Sequence, residues 1–187
     1  MTEVESFTLE LARRIEEGQN IVYFDETSCN LWMRRRMAWS GKEQPVKYPL
    51  NQFRGKGVTC IGAIGETLPR GVFQLADSTN SGAVCKFLLK LRNAFSVRDR
   101  WKHDRIVLVA DNHTAHKTLE VKTLAHQLNI ELLFLPPYTP ELNSIEALWS
   151  VVKAEIKHRL LERRDTNLQQ ADLVAIMNAS LANVQPE

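Results

Sequence analysis

The stretch Arg105–His116, RIVLVADNHTAH, decides how the rest of the chain is read. Ile106 to Ala110 is an unbroken apolar run, β-branched at three of five positions. That composition suits a strand buried on both faces of a sheet. It stops at Asp111-Asn112, and His113, Thr114 and His116 then open a helix. Open α/β sheets place their chemistry at the carboxyl ends of central strands, where Asp111 falls. Asp also caps helices and shapes turns, so this stretch alone leaves both roles open.

Working outward, Ile21–Phe24 is a second apolar strand, expected to end on Asp25-Glu26-Thr27. Ahead of it, Phe7, Leu11 and Ile15 share a helical face, and Gly18 suits the helix stop. Val58–Ile64 and Gly71–Leu75 are β-rich runs, with turns expected at Gly65-Glu66 and Pro69-Arg70. Ser78, Thr79 or Asn80 caps a helix carrying Val84, Phe87, Leu88 and Leu91 on its buried stripe. Past the central strand come a helix over Thr118–Leu128 and a strand over Ile130–Leu135. A stiff Pro136-Pro137-Tyr138-Thr139-Pro140 connection follows. Helices starting near Ser144 and Asn167 close the chain, with Leu148, Trp149, Val152 and Ile156 inward on the first. The order predicts an α/β fold: a mixed five-stranded sheet flanked by helices, its first three strands antiparallel and its later ones parallel.

Composition narrows the class. The 187 residues, 44% hydrophobic and 25% charged, suit a soluble globular domain. A net charge of +2 is too small to indicate nucleic acid by itself. Cys29, Cys60 and Cys85 form no C-x-x-C pair and read as buried or free thiols in a reducing compartment. With no run long enough to span a membrane and no signal peptide, an intracellular protein is expected, whether of bacterial cytoplasm or nucleus. Between Met33 and Pro49 lie Arg34, Arg35, Arg36, Trp39 and Lys42, a basic loop without core-forming residues.

Three acids stand out: Asp25 and Asp111 at strand ends, and Glu146 in the first turn of a helix. Gathered carboxylates repel unless hard divalent cations neutralise them through oxygen ligands. Two such ions can stabilise both the attacking and the leaving oxygen of a phosphoryl transfer. Glu146 has a second reading, because Asn143-Ser144-Ile145-Glu146 fits a capping box with Asn143 as the cap.

FDET at 24–27, ADNHTAH at 110–116 and PPYTPELNSIEALW at 136–149, with 34 residues between Asp111 and Glu146, together resemble the mariner-type DDE transposase superfamily. Arg36-Met37-Ala38-Trp39 with Gly41 and Pro45 resembles the basic hairpin after that family's first catalytic strand. The match covers about Ile21 to Leu160, with Thr139 where Ser is common and Ser144 where Pro is common. The resemblance implies a ribonuclease-H-like fold and DNA strand cleavage and joining with two Mg²⁺ or Mn²⁺ ions. Asp25, Asp111 and Glu146 would be the catalytic and metal-binding triad. The implied partner is DNA, both transposon ends and target, in a complex that can hold a homodimer. Members carry helix-turn-helix modules ahead of the catalytic domain. Here about twenty residues precede the first strand, so a single catalytic domain over 1–187 without that module is expected. Candidate DNA contacts are Arg34, Arg35, Arg36, Trp39, Lys42 and His116. Lys153 and Lys157 join them, since they return with Arg164 to within roughly 20° of Glu146 around a helix. A ribonuclease H, a junction resolvase, or a catalytically idle domesticated DNA-binding module are the alternative functions.

Overall fold

The computed structural model describes residues 1–31, 33, 56–96, 104–162 and 168–184. Helix α1 (Glu3–Glu16) leads into strand β1 (Asn20–Cys29), followed by β2 (Val58–Gly65), β3 (Leu68–Ala76) and helix α2 (Ser81–Ser96). Then come β4 (Ile106–Ala110), a 3₁₀ turn (Thr114–Lys117), α3 (Leu119–Gln127) and β5 (Ile130–Phe134). Helices α4 (Ile145–Glu162) and α5 (Gln170–Val184) follow. The five strands form one sheet in the order β3-β2-β1-β4-β5. The β1–β2 and β2–β3 pairs are antiparallel, whereas β1–β4 and β4–β5 are parallel, the mixed sheet that the order of elements predicts.

Alternation along the strands divides the core. Val22, Phe24, Ile61, Ile106 and Leu108 face α2 and α3, with Phe87, Leu88 and Val121 packed against them. The opposite face carries Cys60, Phe73 and Leu75 under Trp149, Val152, Ile156, Leu173 and Met177 of α4 and α5. Helix α1 covers that same side near Val109 through Phe7 and Leu11. Ile15 differs from expectation and is exposed. Gly18, at φ 69°, takes the left-handed conformation that stops the helix.

Two strand boundaries differ from the sequence reading. β1 runs on through Asp25, Glu26, Thr27 and Ser28, because β2 pairs with it as far as Cys29↔Val58. Within it the Ser28 and Thr59 hydroxyls meet at 3.0 Å across the pair. Pro69-Arg70 is not a turn; both lie within β3. Proline fits because β3 is an edge strand, where a missing N–H breaks no ladder. Asn80 is the α2 cap, accepting from the Ala83 N–H at 2.9 Å. The three cysteines are free and buried, as expected. Among the described residues, no helix is long and apolar enough to cross a membrane.

Candidate active site

Tyr23 pairs with Val109 across the parallel β1–β4 ladder, and β4 ends one residue later at Ala110. Two further steps on each strand bring Asp25 level with Asp111. Asp25 shares the Tyr23 face, under α4. There the Trp149 indole Nε1–H donates to Asp25 Oδ2 at 3.2 Å. Gly62 is the cross-strand partner of Asp25, and a Cβ on it would lie 2.5 Å from the Trp149 ring. Phe73, opposite Gly62 on β3, meets Trp149 edge-on at 6.0 Å. A glycine between two large side chains thus leaves the berth in which the indole reaches the carboxylate.

Asp111 is held from the other side. Its Oδ1 accepts from the His113 backbone N–H at 3.0 Å and from His116 Nδ1 at 2.9 Å. The opposite ring nitrogen of His116, Nε2, lies 2.8 Å from Glu26 Oε1. His116 is only 1% exposed and Glu26 10%, with the Phe24 ring edge-on to the imidazole at 5.0 Å. Burial alone would depress the imidazole pKa, but the two carboxylates outweigh it and raise it to about 10. His116 is therefore an imidazolium bridging two acids, and the same contact holds Asp111 below the usual carboxylate range. The expectation that His116 touches DNA is corrected on this ground, because the ring is enclosed by protein.

Glu146 stands in the first turn of α4, exposed. The capping box does not form: the Glu146 N–H goes to the Asn143 main-chain oxygen at 3.0 Å, and the Asn143 side-chain N–H₂ donates to Phe24 O at 3.2 Å. That amide ties the turn before α4 to β1, one residue from Asp25. Asn112 does the same for the β5 exit, donating to Leu135 O at 2.6 Å.

Asp25, Asp111, Asn112, His113, Asn143 and Glu146 line one cavity of about 490 Å³, walled by Pro136–Pro140. Tyr138, at φ 61° and fully exposed, stands on its rim. Among the described residues, no Lys or Arg lines it. Burial, with the charges of Glu146, Glu26 and Asp111 and against a bond from the Glu26 N–H, lifts the Asp25 pKa to about 7. Among the described residues, no three His, Cys, Asp or Glu side chains converge into a ready-made metal cage. The donor chemistry fits hard cations all the same. Carboxylate oxygens are the ligands that Mg²⁺ and Mn²⁺ take, and three acids line this cavity.

Lys153 and Lys157 are half-buried on α4, and their charges reach the Cys29 thiol, whose pKa burial raises and they lower. Arg34, Arg35, Arg36, Trp39, Lys42 and Arg164 lie outside the described residues. Sequence reasoning missed three contributors. Glu26 was passed over beside Asp25, Trp149 was read only as core, and Asn143 was read only as a cap. For Glu26, the alternation of β1 gives the face that it shares with Phe24, but not the His116 that it meets there, 90 positions away.

The mixed sheet, layered between helices, brings Asp25 and Asp111 together just beyond the last pair of the parallel β1–β4 ladder. The sequence profile of the DDE superfamily endonuclease family matches residues 20–168, and the chain belongs to that family. No curated protein matches the sequence. The fold is similar to that of the Mos1 mariner paired-end complex with Mn, with TM-score 0.64 and 16% identity, covering 100% of this chain and 64% of that one. The catalytic domain of Mos1 mariner transposase gives TM-score 0.57 and 15% identity, covering 100% and 97%. The catalytic core domain of BIV integrase gives 0.51 and 13%, covering 87% and 81%. Of the chain matched in the simian T-cell lymphotropic virus intasome complex, this chain spans 47% of the length, and of Mos1 transposase with the left transposon end, 63%. It is thus shorter than two thirds of either. These likenesses establish the ribonuclease-H-like fold.

Proposed function

We propose that residues 1–187 form one catalytic domain that cuts and joins DNA during transposition, with Asp25, Asp111 and Glu146 as its catalytic, metal-binding acids. The observation that carries this reading is that all three line one cavity, with no Lys or Arg lining it among the described residues. A carboxyl raised to about 7 by desolvation and by its acidic neighbours marks uncompensated negative charge, which a divalent cation neutralises. Two Mg²⁺ or Mn²⁺ ions held by these acids would supply charge stabilisation on the attacking and leaving oxygens of phosphoryl transfer. Asp25 is fixed by the sheet and by Trp149, and Asp111 is oriented by His116. The Glu146 carboxylate accepts no hydrogen bond among the described residues and is free to close on a ligand. No side-chain nucleophile is required, since water and then a DNA 3′-hydroxyl attack phosphorus directly.

DNA, as transposon ends and target, is the partner this reading calls for. Lys153, Lys157 and the segment with Arg34, Arg35, Arg36, Trp39 and Lys42 would contact phosphate, and two copies would assemble on paired ends. Incubating the protein with duplex DNA and an RNA–DNA hybrid, with and without Mn²⁺, tests it. Cleavage of duplex DNA that needs metal and is lost in Asp111→Asn is expected. Cutting of the hybrid alone would point to a ribonuclease H, and equal cutting by Asp111→Asn would remove Asp111 from the site.

A further inference from the structure

Among the described residues, Asn143 Oδ1 is a buried side-chain oxygen without a hydrogen-bond partner, and it belongs to a residue that lines the acid cavity. Asn143 is 3% exposed. Its amide cannot be turned to hide the defect, because the N–H₂ end is committed to Phe24 O. Nor does the oxygen find the partner that a residue before a helix usually finds. The Glu146 N–H, which a side-chain cap would take, bonds the Asn143 main-chain oxygen instead. A buried amide oxygen without a donor costs about 1–3 kcal/mol. The position therefore asks for a ligand.

The ligand's chemistry follows from the atom. An amide oxygen only accepts, so it repels a phosphate oxygen and attracts a cation. The oxygen is closed to bulk water. A cation approaches to about 2.0–2.1 Å for Mg²⁺ or 2.3–2.6 Å for Ca²⁺, inside the distance at which a water would sit. Asparagine carbonyls are ordinary ligands for hard cations, beside carboxylates. We propose that Asn143 Oδ1 is a fourth oxygen donor of the divalent-cation site, a neutral ligand on the cavity that Asp25, Asp111 and Glu146 line. This rests on the metal-dependent reading above and extends it. The amide works at both ends: its N–H₂ anchors the turn to β1, and its carbonyl faces the ion.

Calorimetric titration with MnCl₂ alone, on the metal-free chain, tests this without reference to activity. Wild type, Asn143→Leu and Asn143→Asp are compared, each with its metal-free melting temperature. Asp keeps an oxygen and loses the donor to Phe24; Leu loses both. The expected result is Mn²⁺ affinity about tenfold or more weaker in Asn143→Leu, and at least wild-type affinity in Asn143→Asp. Both variants melt lower without metal. If Asn143→Leu binds Mn²⁺ like wild type, or if Asn143→Asp binds as weakly as Asn143→Leu, the carbonyl is no ligand and the proposal is overturned. Should Asn143→Leu fail to fold, weakened binding in Asn143→Asp overturns it alone. Absence of Mn²⁺ binding by wild type would overturn the metal-dependent reading itself, and the proposal with it.

Discussion

At the scale of single residues, the site depends on a buried charge that neutralises two others. His116 bridges Glu26 and Asp111, at 2.8 and 2.9 Å, from a position 1% exposed. Desolvating such a group is costly, and the arrangement holds only while each partner is present. Replacing His116 by Ala leaves Glu26, 10% exposed, without its counter-charge. Removing one partner of a buried pair costs about 3–5 kcal/mol, so His116→Ala should lose stability on that scale in urea unfolding. A loss below about 1 kcal/mol, typical of exposed pairs, would mean the imidazole is not charged in the fold. This trio was not legible in the sequence. His116 and Glu26 are 90 positions apart, and a lone histidine after a strand carries no sign of a distant carboxylate. Asp111 was legible, because a polar residue ending a five-residue apolar run marks a strand end wherever it occurs.

At the scale of elements, β1, β2 and α4 meet at one point. Gly62 faces Asp25 across β1–β2, and the Trp149 ring occupies the space a side chain there would fill. An added methyl forces the indole out or bends the strand, and such overpacking costs about 1–3 kcal/mol. Gly62→Ala should be destabilised in that range and should also lose cleavage, because the donor to Asp25 moves with the ring. Denaturant unfolding beside a nuclease assay reads both. Unchanged cleavage would separate the Trp149 bond from function.

The mixed character of the sheet could be read from the alternation of strand-like and helix-like runs, since a parallel pair needs a crossover and an antiparallel pair only a turn. What failed were boundaries decided by tertiary pairing. Asp25-Glu26-Thr27-Ser28 looks like the end of a strand until β2 supplies partners as far as Cys29. Pro69 looks like a turn until β3 proves to be an edge. Asn143 looks like a cap, by residue type and spacing, until its N–H₂ is found on Phe24, 119 positions away.

At the scale of the whole molecule, the acid cavity opens at the strand ends and α4 carries Lys153 and Lys157 away from it. A row of cations beside an acidic centre can hold the phosphates on either side of the one being cut. Changing Lys153 and Lys157 together to Ala should weaken duplex binding and flatten its log–log salt dependence, by roughly 0.9 per lost phosphate contact. Asp111→Asn should leave that slope nearly unchanged. An unaltered slope in the double lysine variant would move the DNA track toward the segment with Arg34 and Lys42.

The central claim is that β1, β4 and α4 deliver three acids to one metal-dependent centre. Glu146→Gln tests it most directly. The side chain is exposed and forms no cap, so the change should leave the melting temperature of the metal-free protein in place. Losing one charged ligand forfeits several kcal/mol of transition-state stabilisation, or roughly a hundredfold or more in rate. Mn²⁺-dependent cleavage of duplex DNA by Glu146→Gln should therefore fall at least that far, with the fold intact. Cleavage at the wild-type rate would show that Glu146 lies outside the chemistry and that the three acids are not one site.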